Sequence, residues 1–490
     1  MLNTIVLLMP SLKKNIVYSS LLTVAGYVFP LMTFPYVTRV LGVENLGICN
    51  FVNSAIEYFC VFSLLGVNTI GIREIAKVKD DKIRVSRVFS SILCLNLITT
   101  FISIFALFLL IDFVPKFSQY REMMYIGAGK ILFNSLLIEW LYKGFEDFEY
   151  ITKRSILVRC LFVISIFLLV KTPDDYKLYF LLTVMGFVVN ASINLVYSRH
   201  YVRFSFKNLL FKPYIVPLVT LGAHRILTSM YISFNVTFLG ISSGEIEVGY
   251  YTTATKLYAV IISLFSAFTG VMLPRMSSIL ASDNVSEFKR LTNKSIDALL
   301  AFSIPLIVIT EMYASQIIRI IAGEGYEGAI FPMRLIMPLM LLIGYEQIII
   351  TQMLVPMKKD RAILINSFAG ASVALILNFI IVPLMASVGS AIVWIASEFA
   401  VATSAQFFIN KYIGYKVPIK KIGYRFLSII PIIVICYVLS LCISNSYVLM
   451  ILGSVLVIFY YLVYESIIMK NELVVSNMKV IKNKCERLFH

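Results

Sequence analysis

Charge is scarce in this sequence. Only 14% of its 490 residues are Asp, Glu, Lys or Arg, whereas 59% are hydrophobic and the mean hydropathy is +0.87. A soluble domain of this length needs a polar surface that such a composition does not supply. Apolar runs of membrane-spanning length recur along the whole chain, so the bilayer is the expected solvent for most of it.

The motifs of common catalytic and metal sites are also missing. None of the seven cysteines forms a CxxC pair, so neither a disulfide framework nor a zinc site is expected. The sequence has no P-loop for ATP hydrolysis and no HExxH zinc motif. We therefore predict a protein that is not an enzyme, with no catalytic residues, no metal and no cofactor.

The apolar runs predict an all-α integral membrane protein with about fourteen transmembrane helices, most of them near the roughly 20 residues that cross a bilayer. Residues 1–14, in which Pro10 ends a short apolar stretch, are expected to form an interfacial segment before the first span. The predicted spans are residues 15–40, 44–70, 89–113, 123–142, 155–170, 179–197, 213–239, 248–271, 295–313, 329–355, 362–382, 388–409, 426–443 and 447–468.

The basic residues predict the topology. The formal net charge is +16, and most Lys and Arg lie in loops that share one side of the membrane if the span assignment is correct. This pattern indicates cytoplasmic loops and contact with anionic lipid rather than nucleic acid. An even number of spans then places both termini, including the basic tail 470–487, in the cytoplasm.

Two stretches of sequence resemble each other weakly. Gly42 and Gly47 mark the end of span 1 and the start of span 2, and Gly240 and Gly249 occupy comparable places around spans 7 and 8. A repeat of two halves is one interpretation, since transporters often contain one. Chance recurrence in apolar sequence is the other.

Several cations lie inside the predicted spans, where an ionisable group costs several kcal/mol and usually faces a bundle interior or a watery cavity. Arg225 lies near mid-membrane, and Lys256 and Lys130 lie in the outer half. Arg39 lies near a span end, where snorkelling explains it. One interpretation is a cationic cavity for a phosphate or pyrophosphate; the other is a set of structural ion pairs between helices.

Intramembrane carboxylates form a second group. Asn50, Asn53 and Glu57 share one face of span 2, and Glu398 lies at mid-depth in span 12. Glu57 and Glu398 are candidates for carrying coupling protons, whereas Asn53 is a candidate for substrate contact.

The sequence resembles the polysaccharide transporter branch of the multidrug/oligosaccharidyl-lipid/polysaccharide (MOP) exporter superfamily, and more narrowly the Wzx O-antigen flippases. Residues 34–42 read Phe-Pro-Tyr-Val-Thr-Arg-Val-Leu-Gly and are among those that carry the resemblance. The others are Gly47, residues 65–67 and 71–74, the turn 171–175, and Asn378, Pro383 and Gly389 around spans 11 and 12.

The resemblance implies a six-helix lobe over residues 1–212, a second six-helix lobe over 213–410, and two further helices with a basic cytoplasmic tail over 411–490. It implies export of undecaprenyl-pyrophosphate-linked oligosaccharide across the bacterial inner membrane by alternating access, together with a polymerase and glycosyltransferases. Arg225 and Lys256 match the family's basic cavity positions, and Lys130 and Arg39 match them more loosely.

Two other classes are possible from the sequence. A drug/cation antiporter of the same superfamily predicts an acidic cavity, which Glu57 and Glu398 favour and Arg225 and Lys256 oppose. A membrane-embedded polymerase or ligase usually needs a large external loop, and no predicted outside loop is long enough to form a domain.

Overall fold

The computed structural model describes residues 2–205, 209–282, 284–472 and 474–475. Its α-helices are, in chain order, α1 Leu2–Leu64, α2 Val67–Val78, α3 Lys82–Phe113, α4 Pro115–Gln119, α5 Arg121–Ser135, α6 Glu139–Gly144, α7 Phe148–Leu169, α8 Tyr176–Ser198, α9 Lys212–Ser243, α10 Glu245–Ala281, α11 Val285–Ile321, α12 Ile330–Ile336, α13 Leu339–Gln347, α14 Asp360–Ile413, α15 Ile419–Leu427, α16 Ile429–Cys442 and α17 Ser446–Val463. Short 3₁₀ turns cover Pro173–Asp175 and Glu327–Ala329, and π-helical turns cover Ile348–Leu354 and Tyr464–Ile468. The distal part of the basic tail, residues 476–490, lies outside the described residues.

Several predicted spans are merged into longer helices. Within the described residues, nine helices are long and apolar enough to cross a membrane, and a tenth span is formed by a helix pair bent by 41°. Two of the nine, 62 and 54 residues long, each contain a sharp break, at Gly42 and at Ala386. Helix α5 with α6, and helix α7, correspond to predicted spans 4 and 5, whose buried charges make them less apolar.

The structure adds detail at two predicted boundaries. Helix α1 begins at Leu2 and continues through Pro10, so the predicted interfacial segment is helical from Leu2 onward, and its place at the interface stays a prediction. The break between spans 11 and 12 is at Ala386, inside the predicted turn 383–387. Gly389 is helical, and it allows close packing across the turn, because a Cβ there would lie 2.8 Å from the Ile381 carbonyl oxygen.

The turns after spans 1 and 7 have matching geometry. Gly42 has φ 74° and ψ 174°, and Gly244 has φ 92° and ψ 178°, a backbone conformation that is open to glycine and strained for other residues. Gly47 and Gly249 each follow five residues later and contact the opposite turn. A Cβ on Gly47 would meet the Glu245 carbonyl, and one on Gly249 would lie 2.7 Å from Val43 Cγ2. The reciprocal contact favours the repeat interpretation.

Gly249→Ala is expected to destabilise the protein by about 1–3 kcal/mol, because the added methyl group has no space beside Val43. Gly270→Ala on the same helix is the matched control, since nothing lies within 4 Å of its Cβ position. Thermal unfolding of the purified protein in detergent measures both. Equal melting temperatures for the two variants would contradict the close approach.

The helices divide into two units by their contacts, Met1–Gly249 and Tyr250–His490. In the first unit, α1 packs against α3, α5, α7 and α9. Ser63, Thr100 and Ser135 join three of these helices through mutual hydroxyl contacts of 2.7–2.9 Å. Such polar contacts hold helices together where lipid provides no hydrophobic driving force. Outward-facing Phe101 and Phe105 are 60% and 64% exposed, as expected of a lipid-facing surface.

The second unit includes the two C-terminal helices, which a buried ionic network attaches. The Arg425 guanidinium, 1% exposed, donates to both carboxylate oxygens of Glu465 at 2.6 and 2.9 Å and to Asp297 at 3.0 Å. These residues come from α15, the turn after α17, and α11. The predicted lobe boundary at 212–213 separates two repeated halves of the sequence. The boundary after Gly249 separates groups of helices that pack together. The predicted domain limits therefore stay a prediction.

Candidate functional site

Three of the predicted site residues lie together in the first unit. Lys130 on α5 donates from Nζ to Asn53 Oδ1 at 2.8 Å and forms an ion pair with Glu57, both on α1. The Phe187 ring centroid lies 4.9 Å from the same ammonium group. The face formed by Asn53 and Glu57 is thus the partner surface of Lys130.

Lys130 and Glu57 differ in burial. The Lys130 side chain is 3% exposed, whereas the Glu57 side chain is 41% exposed. A buried ammonium group depends on its partners, because the low-dielectric interior does not solvate it. The pair therefore favours the interpretation of Lys130 as part of a structural ion pair between helices. Glu57 is its counter-ion, and the Glu57 side chain is partly accessible.

Arg225 and Arg39 have different environments. Arg225 is exposed and lies thirteen residues into α9, about 20 Å along a helix apolar enough to span a membrane. Arg39 is exposed just before the Gly42 break, where its Nη1 donates to the Pro35 carbonyl at 2.6 Å. Arg39 thus has the end-of-span position that suits snorkelling.

The second unit contains Lys256 and a pair of carboxyl groups. Lys256 is exposed on α10. Glu398 on α14 is 4% exposed, accepts a hydrogen bond from Trp394 Nε1 at 2.9 Å, and interacts electrostatically with Glu346 on α13. The buried Tyr258 ring packs edge-on against Trp394 at 5.1 Å. The sequence indicates Glu398 but not its interaction with Glu346.

A cluster that sequence reasoning missed lies in the first unit. Arg154, Arg159 and Asn190 line one cavity between α7 and α8. Arg154 directly precedes the predicted span 155–170, and Arg159 lies near the start of that span. A signal was present in the helical spacing of Thr183, Gly186 and Asn190, which places them on one face of α8.

The fold defines the class of this protein as a polytopic helical membrane protein with the architecture of MOP-superfamily transporters. It is similar to lipid II flippase MurJ in an inward closed conformation, with a TM-score of 0.69 and 17% identity over 92% of this chain and 100% of that one. It is also similar to an outward-facing MATE-family multidrug resistance transporter, with a TM-score of 0.54 and 15% identity over 82% and 96%. The predicted all-α fold of about fourteen membrane helices is confirmed.

The chain belongs to the polysaccharide biosynthesis protein family, whose model matches residues 12–280. It is 26% identical over 415 residues to a protein of Escherichia coli (strain K12) described as an O-antigen transporter, covering 82% of this chain and 97% of the relative. A similarly described protein of Shigella dysenteriae is 24% identical over 57% of this chain and 70% of its own length. The predicted family is confirmed.

Removing either partner of the Lys130 pair is expected to have unequal effects on stability. Glu57→Ala leaves a buried ammonium group without its counter-ion and should cost about 3–5 kcal/mol. Lys130→Met leaves a carboxylate that water can reach, so it should lower the free energy of unfolding by less. The double variant Lys130→Met/Glu57→Gln has no unpaired charge and should be more stable than Glu57→Ala. Thermal unfolding of the purified variants gives the order.

The matched control is Glu122→Ala, which breaks an exposed pair with Lys177 at 2.6 Å. That change should cost no more than about 1 kcal/mol. If Glu57→Ala is no more harmful than Glu122→Ala, the ion pair does not stabilise the first unit.

Proposed function

We propose that this protein is a flippase that exports undecaprenyl-pyrophosphate-linked oligosaccharide units by alternating access, for O-antigen or another surface polysaccharide. One structural observation carries the proposal. Arg225 is exposed although it lies near the middle of a helix apolar enough to cross a membrane. An exposed guanidinium at that depth requires an aqueous or anionic neighbour, and a pyrophosphate supplies the bidentate geometry that Arg recognises.

The family and its relatives support this substrate class. The chain matches nearly the full length of the E. coli relative described as an O-antigen transporter, and MurJ, which shares the fold, is named a lipid II flippase. We assign pyrophosphate contact to Arg225 and Lys256. Lys130 and Asn53, which contact each other, are further proposed substrate contacts, and Arg39 has the weakest case.

The setting of the protein follows from the same proposal. We place it as a multi-pass protein of the bacterial inner membrane with both termini in the cytoplasm, where the basic loops meet anionic lipid. The glycosyltransferases of the polysaccharide pathway would supply its substrate, and the polymerase would use it. The division into lobes 1–212 and 213–410 with the extension 411–490 belongs to this proposal.

The variant Arg225→Ala/Lys256→Ala is expected to lower surface polysaccharide at least tenfold in cells that depend on this protein, because the anionic group loses its cations. Quantitative polysaccharide gels measure the effect, and immunoblots of the membrane fraction check the protein level. Arg361→Ala removes an exposed charge near a basic loop and is the control. A wild-type level of surface polysaccharide in the double variant would refute the assignment of pyrophosphate contact to Arg225 and Lys256.

We also propose that Glu398 and Glu346 carry the coupling proton. Two adjacent carboxyl groups in a poorly hydrated place repel when both are charged, so a shared proton is the stable arrangement. Glu57 is the weaker candidate, because Lys130 already neutralises it. The burial of Glu398 also disfavours the alternative drug/cation antiporter, whose organic cation would need direct access to a carboxylate.

Glu398→Gln is expected to abolish the dependence of transport on a pH gradient, whereas Glu57→Gln should retain it. The measurement is substrate translocation in proteoliposomes with and without an imposed gradient. Both variants replace a carboxylate with an amide of similar size, so Glu57→Gln is the matched control for Glu398→Gln. If Glu398→Gln still responds to the gradient as the wild type does, Glu398 is not the coupling residue.

A further inference from the structure

A cavity of about 280 Å³ lies inside the first unit, apart from Arg225. Helices α6, α7 and α8 line it, and its polar groups come from Glu139, Arg154, Arg159, Thr183 and Asn190. Leu137, Val158, Phe162 and Phe187 complete its wall with apolar surface. The cavity therefore has one polar region and one apolar region.

Arg154 is the central group of this cavity. It is 5% exposed, and its Nη2 donates to Glu139 Oε1 at 2.6 Å and to Ser155 Oγ at 2.8 Å. Its Nε and Nη1 have no hydrogen-bond partner among the described residues, and neither does the buried Oδ1 of Asn190. Leaving buried donors of a charged group unpaired costs more than about 1–3 kcal/mol each, so the site is built for a group that is not part of the chain.

The charge of the cavity is positive. Glu139 is the one carboxylate in its lining, and it is shared between Arg154 and Lys143, the latter at 3.1 Å. Arg159 is the second cation of the lining, with Nη1 donating to the Leu22 carbonyl at 3.3 Å. Two lining cations face one carboxylate that Lys143 also neutralises, so the cavity has an excess of positive charge, which suits an anion.

The position of the cavity indicates where its ligand comes from. Arg154 lies six residues into α7, about 9 Å from its start, and Asn190 lies eight residues, about 12 Å, from the end of α8. The adjoining helix ends carry the basic segments 143–154 and 199–212. The outer faces of the same two helices are apolar, with Leu157 57% and Met185 42% exposed. The cavity therefore lies toward the ends of the two helices that bear basic segments, and such segments attract anionic lipid headgroups.

We propose that this cavity binds a phosphate group, with an unpaired N–H of Arg154, from Nε or Nη1, donating to a phosphate oxygen and Asn190 Oδ1 accepting from a hydroxyl or ammonium group beside the phosphate. Arg is suited to this role because its guanidinium remains charged when buried and keeps donors for an anion after Nη2 has paired with Glu139. The apolar wall suits the glycerol and upper acyl carbons of a lipid. None of the proposed transport residues lines this cavity, although Phe187 in its wall also contacts Lys130. The proposal stands whether or not the transport proposal holds.

Thermal stabilisation of the full-length protein in a phosphate-free maltoside detergent tests the proposal with two probes. Inorganic phosphate tests for the free anion, and short-chain dihexanoylphosphatidylglycerol tests for the lipid headgroup. A ligand that binds only the folded protein raises its melting temperature with concentration. Stabilisation by both probes supports a site that binds the phosphate group itself, free or in a lipid. Stabilisation by the lipid alone supports a site for a lipid headgroup.

Arg154→Gln should weaken the apparent affinity for the stabilising probe at least tenfold. Because that change also breaks the contact with Glu139, Asn190→Asp provides a second variant, which keeps the side-chain size and places a negative charge in the cavity. Lys153→Ala is the matched control: it removes a cation one residue away that is 67% exposed and paired with Glu149 at 2.6 Å.

Three results would overturn the assignment. The first is a wild-type protein that neither probe stabilises. The second is wild-type affinity in both Arg154→Gln and Asn190→Asp. The third is a loss in Lys153→Ala as large as that in Arg154→Gln, which would mean that the probes respond only to overall charge.

Discussion

The absence of water in the hydrocarbon core is the constraint on which the rest of this structure depends. A polar group there must find its partner within the chain, because lipid offers none. This explains why the described chain is helical and why its buried polar side chains form compact networks. The hydroxyl cluster of Ser63, Thr100 and Ser135 and the Arg425–Glu465 pair meet the same requirement with neutral and with charged groups.

Buried ion pairs in this protein are connections between helices more than sources of net stability. The cost of removing two charges from water offsets most of their attraction. The main effect of such a pair is therefore to destabilise any packing in which the two charges are separated. Arg425 illustrates this, since its three carboxylate contacts join α15 to α11 and to the turn after α17. The C-terminal helices are therefore fixed in register to the second unit by geometry that few other packings would satisfy.

The sequence predicts the fold well and the site in part, for physical reasons. Apolar run length is set by bilayer thickness, so the number and order of spans are visible without tertiary information. Breaks are less visible: Gly42 and Gly244 mark theirs by their residue type, whereas Ala386 does not. Ionisable residues are recognised as unusual, but their pairing depends on helix rotation. The sequence accordingly indicates Lys130 and Glu57 without showing that they pair, and the predicted span 155–170 leaves Arg154 just outside it.

The structure distinguishes three kinds of intramembrane cation. Lys130 is buried and neutralised by Glu57, which suits a role in packing and in orienting its neighbours. Arg225 is exposed at a depth where lipid contact is costly, which suits transient contact with an anion. Arg154 is buried with two donors still unpaired among the described residues, which suits a resident ligand. A moving substrate must be released, so the exposed cation rather than the most buried one is the better transport contact.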